Sequence, residues 1–246
     1  MPAAVPLVLL HPFPLDSGFW GTVSPHLSDG RPVVAMEFPG LGGAAAVEDP
    51  SVDGFADTVA GAVAAMPGGR AAVCGLSLGG YVALAVAARH PERVAALVLA
   101  DTRAEPDTPE AAVARLQSAA RIRTEGPSGF LDEFVPRLVA TGDLASLSAA
   151  RAIADRQDPE GIARALEALA GRADRRPDLA RMRMPALVIV GSEDGLTPVS
   201  CAEEMVAGLP DSELVVLPGS GHLTALERPD AFAAAVRQFL DRRLPG

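Results

Sequence analysis

Lysine and asparagine are missing altogether from these 246 residues, so all 21 basic side chains are arginine. With the abundance of alanine, that bias has the look of a GC-rich genome and carries no mechanism. Acidic residues outnumber basic ones, and the formal net charge of −10 makes nucleic acid and anionic membranes poor partners. Cysteine is scarce. Cys74 lies in an apolar run and Cys201 in a helical stretch, so both read as small buried residues rather than a bridge, and neither has metal-ligand spacing. No run of about 18 apolar residues occurs, so no transmembrane helix is expected. Met1 to Val5 lack the basic start and cleavage pattern of a leader, which points to the cytoplasm. Histidine is also rare, with four in all.

What is present is short apolar runs alternating with helical stretches. Hydrophobic residues make up 49% of the chain at a mean hydropathy of +0.23, largely through alanine. The length allows one large domain or two small ones. Strands are predicted near 6–11, 32–38, 70–75, 94–101, 185–190 and 213–217, and helices near 19–27, 53–65, 78–90, 199–208 and 229–242. This alternation implies an α/β fold, a mostly parallel sheet of about six strands covered by helices on both faces. The longest interruption, 103–183, holds helical patterns near 108–124, 127–139, 143–155 and 159–171. Phe130, Leu131, Phe134, Val135 and Leu138 recur there at helix spacing, first of all as a packing stripe. The expected organisation is one core, 1–102 and 184–246, with a helical cap inserted at 103–183 after the fourth strand.

Gly75-Leu76-Ser77-Leu78-Gly79 is the most informative stretch. It joins the apolar run ending at Cys74 to the helix from Tyr81 to His90, which makes it a nucleophile elbow. The turn forces the serine into a strained conformation, and glycines on either side let strand and helix approach closely. A serine alone is a weak nucleophile and needs a histidine base oriented by an acid. His11, His26 and His90 read as structural or surface residues. His222 sits in the glycine-rich loop Pro218-Gly219-Ser220-Gly221-His222, directly after a strand, where this kind of sheet exposes catalytic groups. For the acid there are two candidates. Asp194 follows the strand 186–190, and Asp101 ends the strand 94–100; either could instead cap a loop or helix. Asp194 is favoured because chain order Ser, Asp, His with the acid after the penultimate strand matches the serine-hydrolase arrangement. Glu193 is one residue out of register.

With these motifs the chain resembles the α/β-hydrolase superfamily over nearly its whole length. His11-Pro12-Phe13-Pro14 is similar to the family's His-Gly-x-Pro loop, and Glu37-Phe38-Pro39-Gly40-Leu41-Gly42 to its Asp-x-Pro-Gly-x-Gly loop. The acid segment Gly191-x-x-Asp194-x-x-x-Pro198 and Gly221-His222 complete the set. The resemblance implies an oxyanion hole made by the backbone N–H groups of Phe13 and Leu78. Pro12 replaces the usual glycine and removes one amide donor, but not the one at Phe13. Only six residues precede the first strand, so the family's N-terminal β-hairpin is expected to be missing.

The expected function is that of a cofactor-independent serine hydrolase cleaving a carboxylic ester or lactone through an acyl-enzyme. Ser77, Asp194 and His222 are the catalytic residues, and Phe13, Phe130 and Phe134 are pocket candidates in a mostly apolar enclosure under the cap. Neither a cofactor nor a metal is expected. The expected partner is a small ester or lactone, and a homodimer is compatible with the sequence. The wording Ala100-Asp101-Thr102-Arg103 and Pro136-Arg137-Leu138 is similar to that of 3-oxoadipate enol-lactonase-like proteins and small carboxylesterases. The same triad would serve a cofactor-free haloperoxidase-type perhydrolase, a carbon–carbon bond hydrolase or a thioesterase. The fold also serves ligand receptors and non-hydrolytic pathway proteins. A serine in the elbow disfavours dehalogenases and epoxide hydrolases.

Two other motifs compete. Gly40-Leu41-Gly42-Gly43-Ala44-Ala45 fits a dinucleotide loop, but it opens after Pro39, starts no clear helix and lacks the acidic residue about 20 positions on. The cluster Arg172, Arg175, Arg176, Arg181 and Arg183 reads as a solvated link between cap and core, with an anionic substrate tail as the alternative.

Overall fold

The computed structural model describes residues 4–244. Its strands are β1 (Leu7–Leu10), β2 (Val33–Met36), β3 (Ala71–Leu76), β4 (Val94–Ala100), β5 (Ala186–Gly191) and β6 (Ser212–Leu217). They form one sheet in the order β2-β1-β3-β4-β5-β6, and every pairing among the described residues is parallel. β1, β3, β4 and β5 are buried at every position, as unbroken Leu/Val/Ala/Ile runs require when both faces are covered. β2 and β6, at the edges, are only partly buried. Met1 to Ala3, in the stretch where a hairpin was expected to be missing, lie outside the described residues.

The helices are α1 (Ser24–Leu27), α2 (Val52–Ala64), α3 (Leu78–Arg89), α4 (Pro109–Glu125), α5 (Ser128–Phe134), α6 (Leu144–Ala154), α7 (Pro159–Ala170), α8 (Arg176–Leu179), α9 (Val199–Gly208), α10 (Thr224–Glu227) and α11 (Pro229–Arg243). Serine, threonine or aspartate side chains cap α2, α4, α6 and α7 by accepting first-turn N–H groups. Two expected helices are shorter than the periodicity suggested. The stretch 19–27 becomes a 3-10 turn at Ser17–Gly21 followed by α1, because Pro25 has no N–H to donate and fits only in a first turn. In the stretch 127–139, α5 stops at Phe134 and gives way to a 3-10 turn at Val135–Leu138 that contains Pro136. The one-turn helices α8 and α10 are too short for any apolar period to reveal.

α4 to α8 all leave the sheet between β4 and β5, and α4 packs along α7. The strand order reverses direction between β1 and β3, and in open parallel sheets ligands bind outside the carboxyl ends at such a switch point. The loop after β1 carries Phe13 and the turn after β3 carries Ser77, so both stand at that crevice.

Candidate active site

Ser77 has φ +55 and ψ −113, a conformation that costs of order 1–3 kcal/mol and persists only where the surroundings enforce it. The enforcement is visible. The Ser77 N–H donates to the Ala100 carbonyl at 2.9 Å, and the Thr102 hydroxyl donates to the Ser77 carbonyl at 3.0 Å, which fixes the elbow to the end of β4. A Cβ at Gly75 would stand 2.0 Å from the Gly79 carbonyl oxygen, and one at Gly79 2.0 Å from that of Leu10. Only glycine allows both approaches.

His222 is buried, with Nε2 2.8 Å from Ser77 Oγ and Nδ1 2.8 Å from Asp194 Oδ2. Asp194 also accepts from Leu196 N–H (2.8 Å), Thr197 N–H (3.0 Å) and the Thr197 hydroxyl (2.7 Å). Burial pushes the Asp194 carboxyl up, but the His222 charge and the bonds from His222 and Thr197 outweigh it and hold it below the ordinary aspartate value. An ionised Asp194 facing Nδ1 fixes the tautomer in which Nδ1 carries the proton and Nε2 is free to accept one from Ser77.

Asp101 stands elsewhere. It is fully buried with φ +46, and it accepts from Gly191 N–H at 3.0 Å and from the hydroxyl and N–H of Thr224. It therefore ties the strand end that leads to Asp194 to the segment after His222. Burial and the neighbouring Asp194 charge push its carboxyl well above the usual range. The other three histidines are remote in role. His11 is buried beside Glu37 at 3.3 Å, His90 pairs with Asp57 at 2.7 Å, and His26 lies in α1. Glu193 donates its N–H to Ser220 and faces solvent.

The Leu78 N–H opens α3, where the helix dipole favours negative charge. Neither it nor the Phe13 N–H is donated to any partner among the described residues. Phe13, Phe130 and Phe134 form a cluster with ring centroids 5.2–6.1 Å apart. Together with Ser77 and His222 they line a cavity of about 470 Å³, a size suited to a small ligand. Among the described residues, no cluster of His, Cys, Asp and Glu has the placement to hold a metal ion.

The expectation of a mostly apolar pocket is wrong. The lining is as polar as it is apolar, because Arg103, Asp107, Arg115, Ser118 and Arg137 share it with the phenylalanines. In the arginine cluster at 172–183, Arg176, Arg181 and Arg183 are exposed as in a solvated link, and the departure is Arg172. Arg172 is buried, pairs with Asp107 at 2.7 Å and stacks on Tyr81 at 4.4 Å, while Arg175, Arg176 and Arg181 are held by Asp53, Asp174 and Asp178. Cys201 is only half-buried, with Sγ 3.7 Å from Glu105.

Sequence reasoning missed two residues that hold the triad. Thr197 is the hydroxyl donor to Asp194, and the signal was an aspartate followed by a threonine at a turn before Pro198. Glu227 is buried and accepts from Gly221 N–H (2.9 Å), Leu223 N–H (3.0 Å) and Ala140 N–H (2.9 Å). It thus clamps both neighbours of His222 and joins them to the segment after α5. No local pattern announces this long-range bond.

A parallel sheet that raises a serine on the turn after its third strand, with base and acid on loops at the same edge, is the architecture of the α/β hydrolases. The chain belongs to the alpha/beta hydrolase family, which it matches over residues 7–235, and it is an enzyme of the serine-hydrolase type. It is 34% identical over 255 residues to a pimeloyl-(acyl-carrier protein) methyl ester esterase of Aromatoleum aromaticum, covering 95% of this chain and 97% of that one. It is similar in structure to a thermophilic esterase from Thermogutta terrifontis, with TM-score 0.94 and 33% identity over 99% of this chain and 92% of the other. It is also similar to the enol-lactonase of Burkholderia xenovorans, with TM-score 0.88 and 31% identity over 96% and 91% of the two chains. No helix among the described residues is long and apolar enough to cross a membrane.

Proposed function

We propose that the chain hydrolyses carboxylic esters or lactones of small molecules through an acyl-enzyme on Ser77. The observation that carries this reading is the unbroken Ser77–His222–Asp194 relay, 2.8 Å at each step, opening onto a cavity. His222 Nε2 takes the Ser77 proton as Oγ attacks the carbonyl carbon. The oxyanion that forms is met by the unshared N–H groups of Phe13 and Leu78, and His222 returns the proton to the departing alcohol. Water, deprotonated by His222, then releases the acid. The three relatives support the same bond, since two are esterases and one opens a lactone.

The cavity volume and its enclosure by α4, α5 and α7 favour small acyl groups. A series of p-nitrophenyl esters from acetate to palmitate should show turnover falling once the acyl chain outgrows the cavity, with no jump on triglyceride emulsions. A profile rising steadily to palmitate would show that the helices between β4 and β5 open as a lipase lid. Failure of every ester and lactone would remove the reading.

A further inference from the structure

The lining of the cavity reverses the charge of the molecule. The chain has 31 acidic residues against 21 basic ones, yet the cavity is lined by three arginines and a single carboxylate, Asp107. That carboxylate is already overcommitted. It receives Arg103 (3.2 Å), Arg115 (2.6 Å) and Arg172 (2.7 Å) while its side chain is only 1% exposed. Glu105, at 3.7 Å from Arg103, is a second anion beside the group, with its Oε2 buried and free of hydrogen bonds. Three guanidinium groups thus face two carboxylates, and Arg103 Nε is buried without a hydrogen-bond partner. Arg137, exposed on the 3-10 turn after α5 at the cavity, adds a further positive charge and joins no ion pair or hydrogen bond among the described residues.

If holding α4 to the core were the only purpose, a matched set of charges would do it. Arg103 and Arg115 are largely withdrawn from water, and cations in such a setting cost free energy unless anions match them. A guanidinium fork matches a carboxylate in two-point geometry, and its bonds to a charged acceptor are the stronger kind.

We propose that the substrate carries its own carboxylate, so that the enzyme takes half-esters, or lactones bearing an acid group. The ester carbonyl lies at Ser77, the carbon chain runs along Phe130 and Phe134, and the anion is received by Arg137 with Arg103 and Arg115. This rests on the esterase reading above and names the substrate class of the same site. The cavity admits a small dicarboxylate in full, which favours a carboxylate over a phosphorylated carrier as the source of the anion.

The test compares monoethyl glutarate with ethyl valerate, esters of equal acyl length that differ by one carboxylate. At neutral pH the intact protein should prefer the half-ester in kcat/KM by about ten-fold or more, chiefly through KM, as expected for charge-assisted hydrogen bonds in a partly dry site. Arg137→Gln should bring that ratio close to one. Arg183→Gln, which removes the same charge before the amino end of β5 and away from the cavity, should leave it unchanged. Glutarate should compete with substrate, and inorganic phosphate should not. A ratio at or below one in the intact protein, or equal losses on both esters in Arg137→Gln, would overturn the proposal. So would inhibition by phosphate and not by glutarate, which would move the anion to a phosphorylated carrier. If neither ester turns over, calorimetric titration of glutarate decides the anion site alone, while the wider panel of esters and lactones decides the esterase reading. Binding weakened by Arg137→Gln supports it, and absence of binding overturns it.

Discussion

The two buried aspartates near His222 should respond to the same substitution in opposite ways. Asp194→Asn keeps the shape but replaces the ionised acceptor facing His222 Nδ1, so the ring is held in the wrong tautomer. In a comparable triad this lowers kcat about 10⁴-fold, or about 5.5 kcal/mol. Asp101→Asn should be mild. Its carboxyl is already biased to the neutral form by burial and by Asp194, and an amide reproduces that form. The amide oxygen keeps the Gly191 N–H, and its nitrogen donates to the Thr224 hydroxyl, which turns to accept. Only the 3.3 Å bond from Thr224 N–H is lost, at about 0.5–1.5 kcal/mol of stability. Asp101→Leu is the contrasting change. It strands two N–H groups and a hydroxyl at about 1–3 kcal/mol each, and should lower stability and disturb His222 together. Because the folded pKa of Asp101 is raised, its contribution is complete below the ordinary aspartate value of 3.8 and is lost as pH rises through the folded value. The stability gap between the intact protein and Asp101→Asn should therefore narrow with rising pH in urea titrations. Steady-state kinetics on p-nitrophenyl acetate measure the rest. A large fall in kcat for Asp101→Asn with a small one for Asp194→Asn would assign the acid to the end of β4 and refute this account.

Two further substitutions probe the supports of the triad. Thr197→Val removes the 2.7 Å hydroxyl bond to Asp194 at constant volume and should lower kcat by roughly 10- to 100-fold with KM little changed, as the loss of about one hydrogen bond to a charged group predicts. Glu227→Gln replaces one of the two oxygens that hold Gly221, Leu223 and Ala140. It should lower kcat by about ten-fold or more and raise the local exchange rate of those amides, and unchanged exchange at Gly221 and Leu223 would contradict the clamp.

Much of this fold was legible because its chemistry is local. The apolar runs that became β1, β3, β4 and β5 needed only their own composition, and Gly75 and Gly79 flank Ser77 because the turn itself demands closeness. Asp194 and His222 followed from their places after strands. The residues that were not legible act across long separations. Glu227 reaches Ala140, 87 positions away, and Arg172 reaches Asp107 and Tyr81 through folding alone. The apolar stripe of α5 carries Phe130 and Phe134, which line the cavity. Nothing in the loop 101–108 showed that Arg103 and Asp107 would turn inward, because charged loop residues ordinarily face water. The misjudged helix lengths at Pro25 and Pro136 came from weighing apolar period above the missing proline donor.

Covalent labelling reads directly whether Ser77 is the nucleophile. A serine-directed fluorophosphonate, followed by mass spectrometry of the intact protein and its peptides, should show one adduct per chain, on Ser77. Ser77→Ala should take no label and lose most of its turnover, on the order of 10⁶-fold in a comparable triad. An adduct on another serine, or near-normal activity in the unlabelled Ser77→Ala protein, would contradict the mechanism.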